Sequence, residues 1–290
     1  MGRSLRISNF RWCLGVAFVF LAGCSFLSFL PTHPVQPIHP DIVYGAPDTH
    51  SLRIAPYIFL SDKKLDKTSK LFQGLAKLRD QVYQELDLIP SPRAVHVFLF
   101  QDRPKYEKFM ALRYPEQPKR RAFFVADPTT QDLLVYTFWS DKIEQDLRHE
   151  LTHALLHSVL KDVPLWLDEG LAEYFEIPPE AKGLNKTHLN KLAQNQAFTP
   201  NLTRLEGIID LAKMTPTEYR ESWAWVHMML QTDPRAKQVL LTYIHELRRN
   251  PTPSRLAPRL RNAFPDMEGK LMDHIGRVHD RASVLSVSAR

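Results

Sequence analysis

Two histidines four residues apart, in Arg148-His149-Glu150-Leu151-Thr152-His153, limit what this chain can fold into more than any other feature. On an α-helix that spacing puts both rings on one face, about 6 Å apart along the axis. Leu147, Leu151, Ala154, Leu155 and Val159 make the other side of the same helix apolar, so the helix is buried. Asp146 and His157 fall near the polar stripe. Buried histidine and glutamate side chains are costly unless a partner satisfies them. The fold must therefore bring something to this stripe.

A metal ion would satisfy it. Imidazoles at this spacing can both reach one ion at about 2.0–2.1 Å. Glu150 sits beside the first of them, directed toward water near the ion rather than toward the ion. A metal lowers the pKa of water it holds toward about 7, and a carboxylate can take the proton as that water attacks a carbonyl. The alternative is a polar helix whose histidines simply bond to solvent or neighbours. His157 cannot be a third ligand with His149: eight residues of helix separate them by roughly 12 Å, whereas ligand atoms must converge within about 4 Å.

Fifteen residues separate His153 from Glu169, within Trp166-Leu167-Asp168-Glu169-Gly170-Leu171-Ala172-Glu173-Tyr174-Phe175. Together with the first motif, this segment resembles the gluzincin metallopeptidases, in which a second helix supplies a glutamate in a Trp-Leu-x-Glu-Gly-x-Ala context. The short spacing is closer to the bacterial peptidase MA-like members than to the aminopeptidases. The resemblance covers roughly residues 94–231 and implies one zinc ion per chain held by His149, His153 and Glu169, with Glu150 as general base. Four residues past the ligand, Glu173 corresponds to a carboxylate that bonds the free nitrogen of a zinc histidine, or else is only a surface acid of the helix. Tyr219, in Glu218-Tyr219-Arg220-Glu221-Ser222-Trp223-Ala224, either stabilises an oxyanion or belongs to an aromatic packing face. His227 on the same segment reads as structural. A metzincin would need Gly and His where this chain has Leu156 and Val159.

The remainder of the chain supplies the frame. Apolar residues are 44% and charged residues 24% of 290, ordinary for a globular protein. Arg3, Arg6 and Arg11 supply three of the six net positive charges, and the +3 that remains argues against a nucleic-acid partner. Those arginines precede an apolar stretch, Trp12 to Ala22, ending in Leu21-Ala22-Gly23-Cys24, which resembles the lipobox of bacterial lipoproteins. That resemblance implies a signal peptide over 1–23, lipidation of Cys24, and a membrane-anchored protein of the cell envelope facing the periplasm or exterior. Ser25, in place of an aspartate, favours the outer membrane. An uncleaved N-terminal anchor is the other reading, since Trp12 to Leu30 approaches the ~20 residues of a membrane span. Either way the rest lies outside the cytoplasm. Cys13 and Cys24 are the two cysteines, so the globular part can form no disulfide.

Residues 24–50, with prolines at 31, 34, 37, 40 and 47, read as an extended tether. An αβ part over 51–139 follows: a strand from Leu52 to Leu60, a helix from Ser61 to about Leu88, a strand over Ala94–Phe100, and a short helix started by Asp102 and Pro104. Arg121–Asp127 and Asp132–Phe138 form a hairpin, whose first strand is the better candidate for an edge that pairs with a substrate backbone. Residues 140–290 hold the long helix from Ser140 or Asp141 to about Leu160, then helices near 164–176, 186–194, 203–213, 216–231, 235–249 and 265–281. The fold class expected is α+β, a small mixed or antiparallel sheet packed on the His149–His153 helix, then a mostly helical half.

The function expected is peptide-bond hydrolysis on peptide or protein substrates. No Gly-x-Ser-x-Gly is present, and no Gly-Ala-Met-Glu-Asn signature of aminopeptidases. A zinc- and peptide-binding lipoprotein without turnover, or a zinc amidase acting on a cell-envelope component, are the alternatives. Retention of Glu150, which metal affinity does not require, speaks against the first.

Overall fold

The computed structural model describes residues 45–127, 130–250 and 253–288, with side chains described up to 284. Cys24, the signal segment and most of the tether lie outside the described residues, and no described helix is long and apolar enough to cross a membrane.

The protein is α+β with a small mixed sheet. Its strands are β1 (His50–Ile54), β2 (Tyr57–Ser61), β3 (Val95–Phe100), β4 (Ala122–Ala126) and β5 (Leu133–Phe138), in the spatial order β1-β2-β3-β5-β4. The central pairs β2–β3 and β3–β5 are parallel, and the outer pairs β1–β2 and β4–β5 are antiparallel. Parallel neighbours need crossovers. α1 (Lys70–Glu85) supplies the one between β2 and β3, and α2 (Arg103–Arg113) lies in the connection that follows β3.

Period-two alternation divides each strand between two apolar layers. Val95, Val97 and Leu99 of β3, with Leu133 and Val135 of β5, face the main core and α1. Phe98, Phe100, Leu134, Tyr136 and Phe138 face a second cluster with Tyr106 and Phe109 of α2. Burial on both faces is why these strands read as continuous apolar runs.

The expected single strand over Leu52–Leu60 is instead the hairpin β1–β2, turned at Ala55-Pro56. A proline has no N–H for a ladder and breaks the run there. The helix expected from Ser61 begins only at Lys70, because Ser61 is the last residue of β2 and Asp66 closes a turn on Thr68. It ends before Leu88, where Asp87 takes a left-handed conformation.

Helices make up the rest. α3 (Ile143–Val159) carries both histidines, and α4 (Leu165–Phe175) carries the second motif. After a 3-10 turn at Pro179–Ala181 come α5 (Lys186–Ala193), α6 (Leu202–Leu205), another 3-10 turn at Leu211–Lys213, and α7 (Pro216–Gln231). Then follow α8 (Pro234–Leu247), α9 (Leu256–Ala263) and α10 (Met267–Ser288). The single helix expected near 203–213 is therefore two short pieces. α9 was not among the expected helices. Pro258 falls in its first turn, where the N–H has no intrahelical partner to lose. Glu206 accepts from the N–H groups of Leu256 (2.5 Å) and Ala257 (3.3 Å) in that first turn, which holds the helix start. One apolar core runs from Tyr57 in β2 through α3, α4 and α7 to Ile275 in α10, on both sides of residue 140.

Candidate metal centre

α3 and α4 meet so that three ligand atoms converge. Glu169 Oε2 lies 3.5 Å from His149 Nε2 and 3.7 Å from His153 Nε2. All three atoms fall within 4.8 Å of one another. A tetrahedral ion with bonds of about 2.0–2.2 Å would place its ligand atoms roughly 3.4 Å apart. Glu169 is buried and its Oε2 has no hydrogen-bond partner. Native proteins rarely leave such an atom unsatisfied, and a cation shared with the two histidines is the partner that the geometry fits. These residues could hold a metal ion.

A second group, His149, Glu173 and Glu176, also converges within 4.8 Å. Its carboxylates are already engaged: Glu176 Oε1 accepts from Gln145 (2.7 Å), and Glu173 Oε2 accepts from His188 (2.8 Å). The Glu169 cluster, with its partnerless oxygen, is the better candidate.

Carboxylates behind the rings aim them. His149 Nδ1 bonds Glu176 Oε2 at 3.1 Å, which turns Nε2 toward Glu169. Asp168 Oδ2 lies 3.0 Å from His153 Nδ1 and accepts from His157 Nε2 at 3.0 Å. The expectation that Glu173 would bond a zinc histidine is thus corrected, since that carboxylate is directed to His188 and Asn185. The physical reason is the end of α4. Glu176 caps it, and buried Arg148 donates to the carbonyls of Glu176 (3.1 Å) and Ile177 (3.1 Å), drawing this end back onto α3. Glu173, a turn earlier, faces α5 instead.

These contacts fix the electrostatics. Burial alone would disfavour a charged ring at His149, but Glu169 and Glu176 outweigh it and hold its pKa well above the ordinary value. At His153, burial is likewise outweighed, by Asp168 and then Glu169. A cation and protons would therefore compete for the same nitrogens. Burial raises Asp168, yet His153 and His157 pull it below the usual carboxylate range.

Glu150 follows His149 on α3, hydrogen-bonded to no described side chain, and borders a cleft of about 340 Å³ shared with Arg120, Asp146 and His149. Burial raises its pKa, the direction that suits a proton acceptor near neutrality. Tyr219 on α7 reaches the same centre. Its hydroxyl donates to Glu169 Oε1 (3.4 Å) and accepts from Arg120 (3.0 Å). Burial, reinforced by the Glu169 charge, raises its pKa and keeps that proton in place.

Close approach of α4 and α7 makes this possible. A Cβ on Gly170 would stand 2.7 Å from the Ser222 carbonyl oxygen, so only glycine lets the two backbones meet. β4 is an edge strand with β5 as its one described neighbour, and its Phe124 ring lies nearly parallel to His153 at 6.2 Å. His157 is held by Asp168, and His227 is buried against His274, 2.8 Å away. Neither joins the converging ligand atoms, as expected for both.

Sequence reasoning missed Arg120, Arg148, Asp168 and Glu176. Only Asp168, adjacent to Glu169 within the second motif, carried a local signal. Compared with known proteins, the chain matches no family model, and no curated protein matches it in sequence.

Proposed function

We propose that this chain is a zinc metallopeptidase of the gluzincin type, exported and tethered to the cell envelope through Cys24. The observation that carries the reading is Glu169 Oε2, buried and partnerless beside two Nε2 atoms with the Glu150 carboxylate on the same cleft. When bound, zinc supplies Lewis acidity, which lowers the pKa of water and polarises a carbonyl.

Everything else falls to the protein's own residues. Glu150 accepts the proton of the attacking water and later delivers it to the leaving amine. Tyr219, still protonated, turns its O–H from Glu169 toward the oxygen that becomes negative during attack, and Arg120 steadies that hydroxyl. The free edge of β4 can receive an extended peptide by strand addition, with Phe124 next to the ligands. Asp168 and Glu176 keep the histidines in the orientation that ligation needs.

The test is Glu150→Gln, which preserves size but cannot take the proton at neutral pH. Zinc content and fold should be unchanged, and peptide hydrolysis should fall by about 10²–10⁴-fold. Comparable cleavage by both chains at equal zinc occupancy would remove Glu150 as the base. A wild type that holds zinc yet cuts nothing in a broad peptide library would identify a binding protein instead. For the tether, Cys24→Ala should abolish incorporation of labelled fatty acid in the host, and persistent labelling would refute the anchor.

A further inference from the structure

The geometry points to a carboxylate-binding subsite beside the metal centre, formed by Arg120, Lys191 and Arg220, so that the substrates are peptides bearing a carboxylate near the bond to be cut. This rests on the peptidase reading and adds to it the class of substrate.

Two cavities carry the inference. The one bordered by His149 and Glu150 shares Arg120, Glu173, Thr187 and His188 with a second, of about 430 Å³, that extends to Lys191 and Arg220. The two adjoin through these four residues. The charges along them do not cancel. Asp146 is paired with Arg121 at 2.5 Å, Glu173 with His188 at 2.8 Å and Glu176 with His149 at 3.1 Å, which leaves Glu150, at the metal-centre end, as the one lining acid without an ion pair among the described residues. Arg120 spends one donor on the Tyr219 hydroxyl and feels the Glu150 charge only at longer range, with no ion pair among the described residues, while Lys191 and Arg220 have no hydrogen-bonding or ionic partner among them. By contrast, Arg204 is met by Glu218 and Glu221, and Arg259 by Glu246.

Three cations from three separate elements thus line one cleft: Arg120 ahead of β4, Lys191 on α5 and Arg220 on α7. Guanidinium and ammonium groups so arranged suit an anion, and the anion a peptide carries is a carboxylate. Arg120 contacts the Tyr219 hydroxyl that bonds a candidate metal ligand, so the bound carboxylate would sit close to the reacting bond. Two sources share this chemistry, an Asp or Glu side chain and a free C-terminus.

Binding, rather than turnover, separates the possibilities. The full-length, zinc-loaded Glu150→Gln chain would be titrated with labelled octapeptides in which one position at a time is Glu or Gln, each made as C-terminal acid and C-terminal amide. We expect one Glu/Gln pair, or the acid/amide pair, to differ on the order of tenfold in Kd, and that pair names the source. In the Lys191→Gln/Arg220→Gln double variant, checked for zinc content and melting temperature, the difference should shrink to within about twofold. The reversal Lys191→Glu/Arg220→Glu should turn the preference toward Lys at the same position. Equal binding of every matched pair, or a preference untouched by these substitutions, would overturn the subsite while leaving the peptidase reading in place. No binding of any peptide by the folded, zinc-loaded chain would overturn both.

Discussion

Gly170→Ala should loosen the joint on which the candidate site depends. The added Cβ would lie 2.7 Å from the Ser222 carbonyl oxygen, 2.9 Å from its carbon and 3.0 Å from Val226 Cγ2. Two of these are backbone atoms of α7, which cannot rotate aside as a side-chain tip can. The helices must part by a few tenths of an ångström. Overpacking of this kind costs about 1–3 kcal/mol. Alanine regains up to ~1 kcal/mol of helix propensity over glycine, leaving a net loss of up to about 2 kcal/mol. For a folded part of this size, that lowers Tm by up to roughly 8 °C. The same shift moves Tyr219 away from Glu169, already 3.4 Å apart, so that hydrogen bond should break. Thermal unfolding and zinc affinity of wild type and variant would be compared side by side. An alanine variant more stable than wild type, showing the propensity gain with no overpacking cost, would refute the close approach of α4 and α7 as described.

Glu176→Ala should free the His149 ring and lower zinc affinity by about 10–100-fold with all three ligands intact, as loss of an orienting carboxylate does; Glu173→Ala should cost less, and the opposite order in a competition titration would reverse the two assignments. The His227–His274 pair should stay neutral well below neutrality. Burial, then the neighbouring His274, depresses His227 to about 3, and burial, then Arg277, depresses His274 to about 4. Unfolded rings bind protons near 6.5 and these folded ones do not, so the pair makes stability fall as pH drops from about 6.5 toward 4. The loss is on the order of 2 kcal/mol per ring by pH 5. Histidine ring-proton shifts, assigned with His274→Gln, should not move for this pair between pH 8 and pH 5. A midpoint near 6.5 at either ring would contradict its burial.

What the sequence made legible, and what it hid, divide along physical lines. His149, Glu150 and His153 were readable because helical spacing alone brings them together. α4 and α7 were readable in position, as the helices expected near 164–176 and 216–231, and Thr215 caps the start of the second. The edge position of β4 agrees with the expected hairpin. Arg148 and Glu176 were not legible, because their pairing requires the end of α4 to fold back across α3, and no local pattern encodes that return. Arg120 precedes a strand and gives no hint that it will reach Tyr219, 99 residues away. The parallel centre of the sheet was equally hidden: strands buried on both faces lose the alternation that would betray their pairing. Glu173 was misassigned because sharing a face with Glu169 sets direction only, and one turn along α4 the neighbour is His188 on α5.

Zinc content of the purified full-length chain tests the central claim most directly. After loading and dialysis against metal-free buffer, the wild type should retain close to one zinc per chain, and it should lose stability when a strong chelator removes it. His153→Ala and Glu169→Ala, shown by circular dichroism to be folded, should each retain far less than one equivalent under the same dialysis. Full retention by either variant, or a wild type that releases all its zinc, would contradict a metal centre built from His149, His153 and Glu169.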